Sequence, residues 1–241
     1  LNNYVGYKRF LLKKLYLDWP MKRLKKVTVI SPKTKAEVIK NCDSVKADLI
    51  VIPNPIMPEF KLSTRSFFQQ EPRILFVGTN GNKNFDRAIE SIKGLSCILV
   101  VLGKLSVRQV DLLKKFDIKY ECHHSLTDIE VANLYSDSDL LLFPSLYEGF
   151  GLPIIEAFKT GKPVVTSNMS PMIDVASGAA QLVNPFSVES IREGVLRVLS
   201  DREYREYLVG RGLVVANEFN GEEISKRYLA VYRQLFSGES N

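Results

Sequence analysis

Residues 147–164 read YEGFGLPIIEAFKTGKPV. Two carboxylates, Glu148 and Glu156, flank a turn that carries Gly149, Phe150, Gly151, Leu152 and Pro153. Glycine lets a backbone come close to a ligand, and proline suits the first helical turn, where its missing N–H costs no bond. The preceding run, DLLLFPS at 139–145, is apolar enough for a buried strand. The stretch therefore reads as strand, turn and helix start. Free amides at such a start sit at the positive end of the helix dipole and suit a phosphate or another anion. Glu148 lies just before this helix and Glu156 about one turn inside it, so both can address one cleft at different depths.

Working outward, short β-branched runs alternate with amphipathic segments. Strands are expected at 27–30, 49–52, 74–77, 98–102, 139–143, 163–166 and 180–183. Helices are expected at 34–41, 84–93, 107–116, 128–135, 152–159, 171–176, 188–199, 203–218 and 224–235. Alternation of this kind predicts an α/β fold, a doubly wound, Rossmann-like parallel sheet covered on both faces. Ligands in such sheets bind at the carboxyl ends of strands where the winding reverses. The proline-containing segment 53–73 breaks the pattern and reads as an interdomain linker.

The 241 residues, 45 % hydrophobic with mixed charge, describe a globular chain rather than a disordered or fibrous one. No apolar run reaches the roughly 18 to 20 residues of a spanning helix. Leu1 stands first without a signal-peptide pattern, which suggests that upstream sequence is missing. Three scattered cysteines, Cys42, Cys97 and Cys122, argue against a disulfide framework and for a reducing, cytoplasmic setting.

The net charge of +6 is concentrated near the start, where eleven lysines and arginines within forty residues face only Asp18 and Glu37. Leu11, Leu12, Leu15, Tyr16 and Trp19 fall on one helical face, with Lys13 and Lys14 opposite, Arg9 at the flank and Lys8 intruding. This is the pattern of a basic interfacial helix drawn to an anionic membrane surface. The plainer reading is a helix whose apolar face docks on upstream sequence. Nucleic acid is not expected as a partner, because nothing beside the charge supplies a reading element.

The segment FPSLYEGFGLPIIEAFKTGKPVVTSNMSPMIDVASGAAQLVNPFSVESI resembles the nucleotide-sugar-binding domain of family 4 retaining glycosyltransferases, which have the two-domain GT-B fold. Glu148 and Glu156 match its E-x7-E motif, and the similarity continues through LFVGTNGNKNFDRAIESI at 75–92 and DIEVANLYSDSDLLLF at 128–143. The resemblance implies glycosyl transfer from a UDP-sugar or GDP-sugar to a saccharide or lipid-linked acceptor, with retention and with no metal or other cofactor. It makes Glu156 the ribose ligand and Glu148 the glutamate near the donor sugar. Gly149, Phe150, Gly151 and Leu152 become the cradle for sugar and phosphate, and Leu126 a backbone contact to the base. Lys83 becomes the cation that neutralises the diphosphate, and with Glu148 it forms the catalytic pair. A fixed ammonium favours the charge that builds on the leaving group.

Two departures are visible. Gly78 is followed by Thr79 where the family often has a second, arginine ligand to the diphosphate, and most of the family's amino-terminal domain is absent. The resemblance thus divides the chain into a remnant of the acceptor-side domain at 1–52, the linker, a donor domain at 74–220, and a last helix at 221–241 that crosses back toward the first segment.

Other features are read as structural. Asp137-Ser-Asp139 is a DxD string ahead of an apolar strand, and Cys122-His123-His124 lacks a second cluster and reads as a surface loop. GTNGNKN lacks dinucleotide spacing, and Ser145 and Ser170 lack a nucleophile elbow. Two functions follow from the resemblance. One is the donor half of a transferase in polysaccharide, lipopolysaccharide or glycolipid assembly, peripheral on the inner face of the cell membrane where the basic segment attaches it. The other is a nucleotide-sugar-binding module without activity, paired with a separate acceptor-binding chain.

Overall fold

The computed structural model describes residues 6–68 and 70–236, apart from the side chain of Arg9. The ends of the expected first and last segments, 1–5 and 237–241, and position 69 of the linker lie outside them. The chain divides into two compact units, Leu1–Asn54 with Ile224–Asn241 and Pro55–Glu223.

The larger unit holds a six-stranded parallel sheet in the order β5-β4-β3-β6-β7-β8. Its strands are β3 (Arg73–Val77), β4 (Ile98–Leu102), β5 (Lys119–His123), β6 (Leu140–Phe143), β7 (Val164–Ser167) and β8 (Gln181–Val183). The chain steps outward from β3 to β5, then returns to β6 and steps the other way. The winding therefore reverses between β3 and β6, whose registered pairs are Ile74 with Leu140 and Leu75 with Leu141. Helices α4 (Phe85–Ile92), α5 (Val107–Lys115), α6 (Asp128–Asp137), α7 (Leu152–Lys159), α8 (Met172–Ala176), α9 (Val188–Ser200) and α10 (Arg202–Asn217) cover the sheet. Side chains such as Ile74, Leu99, Leu140, Val165, Ile89 and Val195 are fully buried between sheet and helices. Strands buried on both faces read as continuous apolar runs, which is why β3, β4 and β6 are plain in the sequence.

β5 is a correction, since no strand was expected there and Cys122-His123-His124 was read as a surface loop. It lies at the sheet edge, where charge is tolerated because one side of the strand meets water. It pairs with β4 from Lys119–Ile98 to His123–Leu102. Glu121 reaches past it to take both Nη atoms of Arg73, each at 2.7 Å. That guanidinium pulls the Glu121 carboxyl down to about 2.

The segment expected as a linker lies along the larger unit. The Ser63 amide donates to the Thr160 carbonyl at 3.2 Å. Asp139, buried at the foot of β6, accepts from the amides of Phe68 (3.1 Å) and Arg73 (2.9 Å) and from Arg65 Nη2 (3.3 Å).

In the smaller unit, β1 (Lys26–Val29) and β2 (Asp48–Val51) pair in parallel around α3 (Pro32–Asn41). The last helix, α11 (Gly221–Phe236), sets Ile224 and Val231 against Ile52. Residues 6–23 are helical throughout: α1 (Gly6–Lys13), a π-helical stretch (Lys14–Asp18) and α2 (Trp19–Arg23). The face turned inward is the polar one. Lys13 and Lys14 pair with Asp43, and the carboxylate of buried Asp18 accepts from the Asp43 amide at 3.0 Å. Phe10, Leu15, Tyr16 and Trp19 are exposed.

Candidate functional site

Gly78 opens the turn after β3 with φ +85°. A Cβ there would stand 2.7 Å from Cε of Lys83, so only glycine lets the lysine stem fold back against the strand end. Hydrogen bonds join this loop to the loop after β6. The Leu146 amide donates to the Asn82 carbonyl at 2.8 Å, and Asn82 Nδ2 donates to the Tyr147 carbonyl at 2.9 Å. Asn84 Nδ2 donates to the carbonyls of Pro144 (3.1 Å) and Pro185 (2.6 Å).

These bonds hold Lys83 with its Nζ 2.6 Å from Oε1 of Glu148, the two side chains being only 16 % and 13 % exposed. The same ammonium lies 4.8 Å from the centre of the Phe143 ring. A cation over an aromatic face, paired with a half-desolvated carboxylate, is strongly localised. The pair joins the carboxyl ends of β3 and β6 at the point where the winding reverses.

Past Glu148, Phe150 is buried with its ring 5.8 Å from that of Phe219. Gly151, at φ +107°, precedes α7, which begins Leu152-Pro153. Glu156 lies on the second turn of this helix, where its Oε2 accepts from the Tyr135 hydroxyl at 2.6 Å. Burial pushes the Glu156 carboxyl up, and the Tyr135 hydrogen bond pulls it back down. Burial and the neighbouring carboxylate raise the Tyr135 phenol well above its ordinary value, so it remains a donor.

The structure thus brings together Gly78, Lys83, Glu148 and the Gly149–Gly151 turn, and places Glu156 on the helix that follows. Thr79 turns elsewhere, its Oγ1 donating to the Lys104 carbonyl at 2.8 Å. Leu126 lies in the turn between β5 and α6, on the same sheet edge but with β4 standing between β5 and β3. Tyr135, Asn82 and Asn84 position the site and were not legible from motif spacing. The one signal for Tyr135 is its hydroxyl, since a tyrosine buried among apolar neighbours needs a partner. Asp139 stands at the opposite end of β6 from Glu148, committed to the 65–73 segment. Among the described residues no group of three or more His, Cys, Asp or Glu is placed to hold a metal ion.

A reversal point that carries a lysine, two glutamates and a proline-led helix start belongs to the α/β domains that hold ligands at the carboxyl ends of their strands. The Glycosyl transferases group 1 family matches residues 60–213, and the chain belongs to that family. It is 30 % identical over 233 residues to an uncharacterized glycosyltransferase of Methanocaldococcus jannaschii, covering 86 % of this chain and 59 % of that protein. It is 29 % identical over 202 residues to the O-antigen chain mannosyltransferase RfbU of Salmonella typhimurium, covering 80 % of this chain and 54 % of that one. A sucrose-phosphate synthase from Thermosynechococcus elongatus superposes with a TM-score of 0.82 at 20 % identity, over 99 % of this chain and 64 % of that one. At that identity the likeness establishes the fold, which is that of GT-B glycosyltransferases. The chain spans little more than half the length of these two curated relatives.

Proposed function

We propose that this chain is the donor-binding part of a retaining glycosyltransferase that takes its sugar from a nucleoside diphosphate sugar. The observation that carries this reading is the Lys83–Glu148 pair at 2.6 Å across the reversal point, beside the helix that bears Glu156. An incoming diphosphate exchanges with Glu148 for the Lys83 ammonium and meets the positive end of α7. The released Glu148 carboxylate then accepts from sugar hydroxyls, while Glu156, held by Tyr135, accepts from the ribose. As the glycosidic bond breaks, charge gathers on the diphosphate, and a preorganised cation stabilises that state more than the ground state. No metal or other cofactor is assigned to this work.

The acceptor is proposed to belong to polysaccharide, lipopolysaccharide or glycolipid assembly, which the likeness to an O-antigen mannosyltransferase supports. Much of the rate of such transfer comes from aligning acceptor and donor away from water. Because the chain spans only part of its relatives, it is expected to bind donor and to transfer little by itself. That also leaves room for the second reading, a binding module completed by another chain.

A thermal-shift screen of UDP- and GDP-sugars tests the proposal, since a ligand bound only by the folded state raises its stability. Stabilisation by one nucleotide sugar, lost in Lys83→Ala, is expected. No response to any of them would overturn the reading. Turnover by this chain alone, at the rate of a full-length relative, would show instead that the site is complete within it.

A further inference from the structure

A second charged cavity, of about 490 Å³, opens at the other end of the sheet, where the amino ends of β6 and β7 meet the 65–73 segment and the first turns of α10. Four cations line it, Arg65, Lys162, Arg202 and Arg205, against two carboxylates, Asp139 and Glu206. The central group is Lys162. It is 6 % exposed, and among the described residues its Nζ has no hydrogen-bond or ion-pair partner. The stem of Lys162 is packed while its Nζ is not sealed from the cavity, so the ammonium is open to a counter-charge that its neighbours do not supply. Burial pushes the Lys162 ammonium down; the charges of Asp139 and Asp137 raise it and that of Arg65 lowers it.

The neighbours are prepared for the same counter-charge. Arg205 is buried, with Nη1 donating to the carbonyls of Val198 (2.9 Å) and Leu199 (3.1 Å) and its guanidinium 3.8 Å from the Phe67 ring centre. Among the described residues its remaining nitrogens have no hydrogen-bond partner. Arg65 is fixed by Asp139 and by the Asp137 carbonyl. Asp139 is itself consumed by two backbone amides and Arg65, so it does not serve Lys162 as a direct partner. Arg202 is paired with Glu206, so what is left over is two positive charges, those of Lys162 and Arg205. Guanidinium forks match the oxygens of a phosphate, and a phosphate monoester near neutrality carries close to two negative charges.

We propose that this cavity is an anion site for a phosphate dianion, with Lys162 as its central cation and Arg65 and Arg205 as its walls. It is separate from the donor cleft, because Asp139 and Lys162 precede β6 and β7 whereas Glu148 follows β6.

The test is calorimetric titration of inorganic phosphate into the full chain and into Lys162→Met, Glu206→Gln and Lys83→Ala variants. Expected results are binding to the full chain, at least tenfold weaker binding to Lys162→Met, tighter binding to Glu206→Gln, and no change in Lys83→Ala. Loss in Lys83→Ala with none in Lys162→Met would place the phosphate in the donor cleft and overturn the proposal, as would no binding at all. Removing an ammonium that has no protein partner should not lower the melting temperature of Lys162→Met in phosphate-free buffer; a lower one would show that Lys162 is a structural cation and overturn the proposal too. Glycerol 3-phosphate titration and flotation with phosphatidic-acid vesicles then distinguish a soluble phosphate from a lipid headgroup, and a response to either that requires Lys162 supports the site.

Discussion

The Lys83 ammonium and the Glu148 carboxylate, 65 positions apart in sequence, meet at 2.6 Å between the ends of neighbouring strands. Without ligand the cleft therefore presents a neutral pair, not a bare cation. An anion must offer Lys83 more than Glu148 does, and in the proposed function a diphosphate with several oxygens is that anion. Lys83→Ala is expected to weaken a nucleoside diphosphate about tenfold to a hundredfold, the worth of one charged hydrogen bond, and to leave the bare nucleoside nearly unchanged. Calorimetry with both ligands checks this. Equal loss for the two would remove Lys83 from the phosphate site.

Glu156 and Tyr135 link affinity to pH. Burial raises the carboxyl above its ordinary range, so it takes up its proton, and in its proposed role would cease to accept from the ribose, at a higher pH than an exposed glutamate. Nucleotide affinity should fall as pH drops through that raised value. Tyr135→Phe removes the bond that lowers the pKa, so the midpoint should move upward. Glu156→Ala should weaken binding by about 1.5 to 3 kcal/mol and abolish this step in the profile. A profile unmoved by Tyr135→Phe would deny Tyr135 its positioning role.

Two glycines on α10 make an internal comparison. A Cβ at Gly212 would meet Cδ1 of Phe158 at 2.6 Å, whereas one at Gly210 has nothing within 4 Å. Gly210→Ala should stabilise by up to about 1 kcal/mol through helix propensity. Gly212→Ala should destabilise by about 1 to 3 kcal/mol, because the α7–α10 contact must open. Denaturant melts of both variants check the sign.

Because Asp139 is spent on Arg65 and two amides, no metal role is proposed for the DxD string. Chelator is expected to leave donor affinity intact. A collapse with EDTA that manganese reverses would assign that string, or another set of residues, a metal after all.

The amino-terminal helix is expected to bind anionic membrane. Its exposed Phe10, Leu15, Tyr16 and Trp19 lie beside Lys22 and Arg23, while Lys13 and Lys14 are engaged by Asp43. Basic residues near such a surface contribute about 1 kcal/mol each, screened by salt. Sedimentation should show binding to acidic vesicles at low salt and release at high salt. Equal partition to neutral vesicles would return this face to protein docking. Among the described residues no helix is long and apolar enough to cross a membrane.

Legibility followed burial. Apolar runs such as ILFV and LLLF announce β3 and β6 because both faces of those strands are covered, and the reversal point follows from their order. The glycines and proline of 147–164 announce the turn because few other residues tolerate its geometry. β5 was hidden because an edge strand has no need of an apolar run. Tyr135 was hidden because a hydroxyl at the end of a core aromatic leaves no trace in periodicity. Lys13 and Lys14 pointed the wrong way in the helical projection because their partner, Asp43, comes from beyond α3. Side-chain partners brought together by tertiary folding are what local pattern cannot supply.

The β3–β6 pairing has one further consequence. Only two registered residue pairs join the half of the sheet built before residue 124 to the half built after residue 139. Together with the bonds between Arg73 and Asp139 and the loop bonds of Asn82, Asn84 and Leu146, they form a seam between two strand triplets that are each continuous in sequence. The donor cleft straddles that seam, with Lys83 on one triplet and Glu148 on the other. A diphosphate seated there as proposed would act as a clasp between halves, so that its occupancy would be felt as mechanical cohesion of the whole sheet.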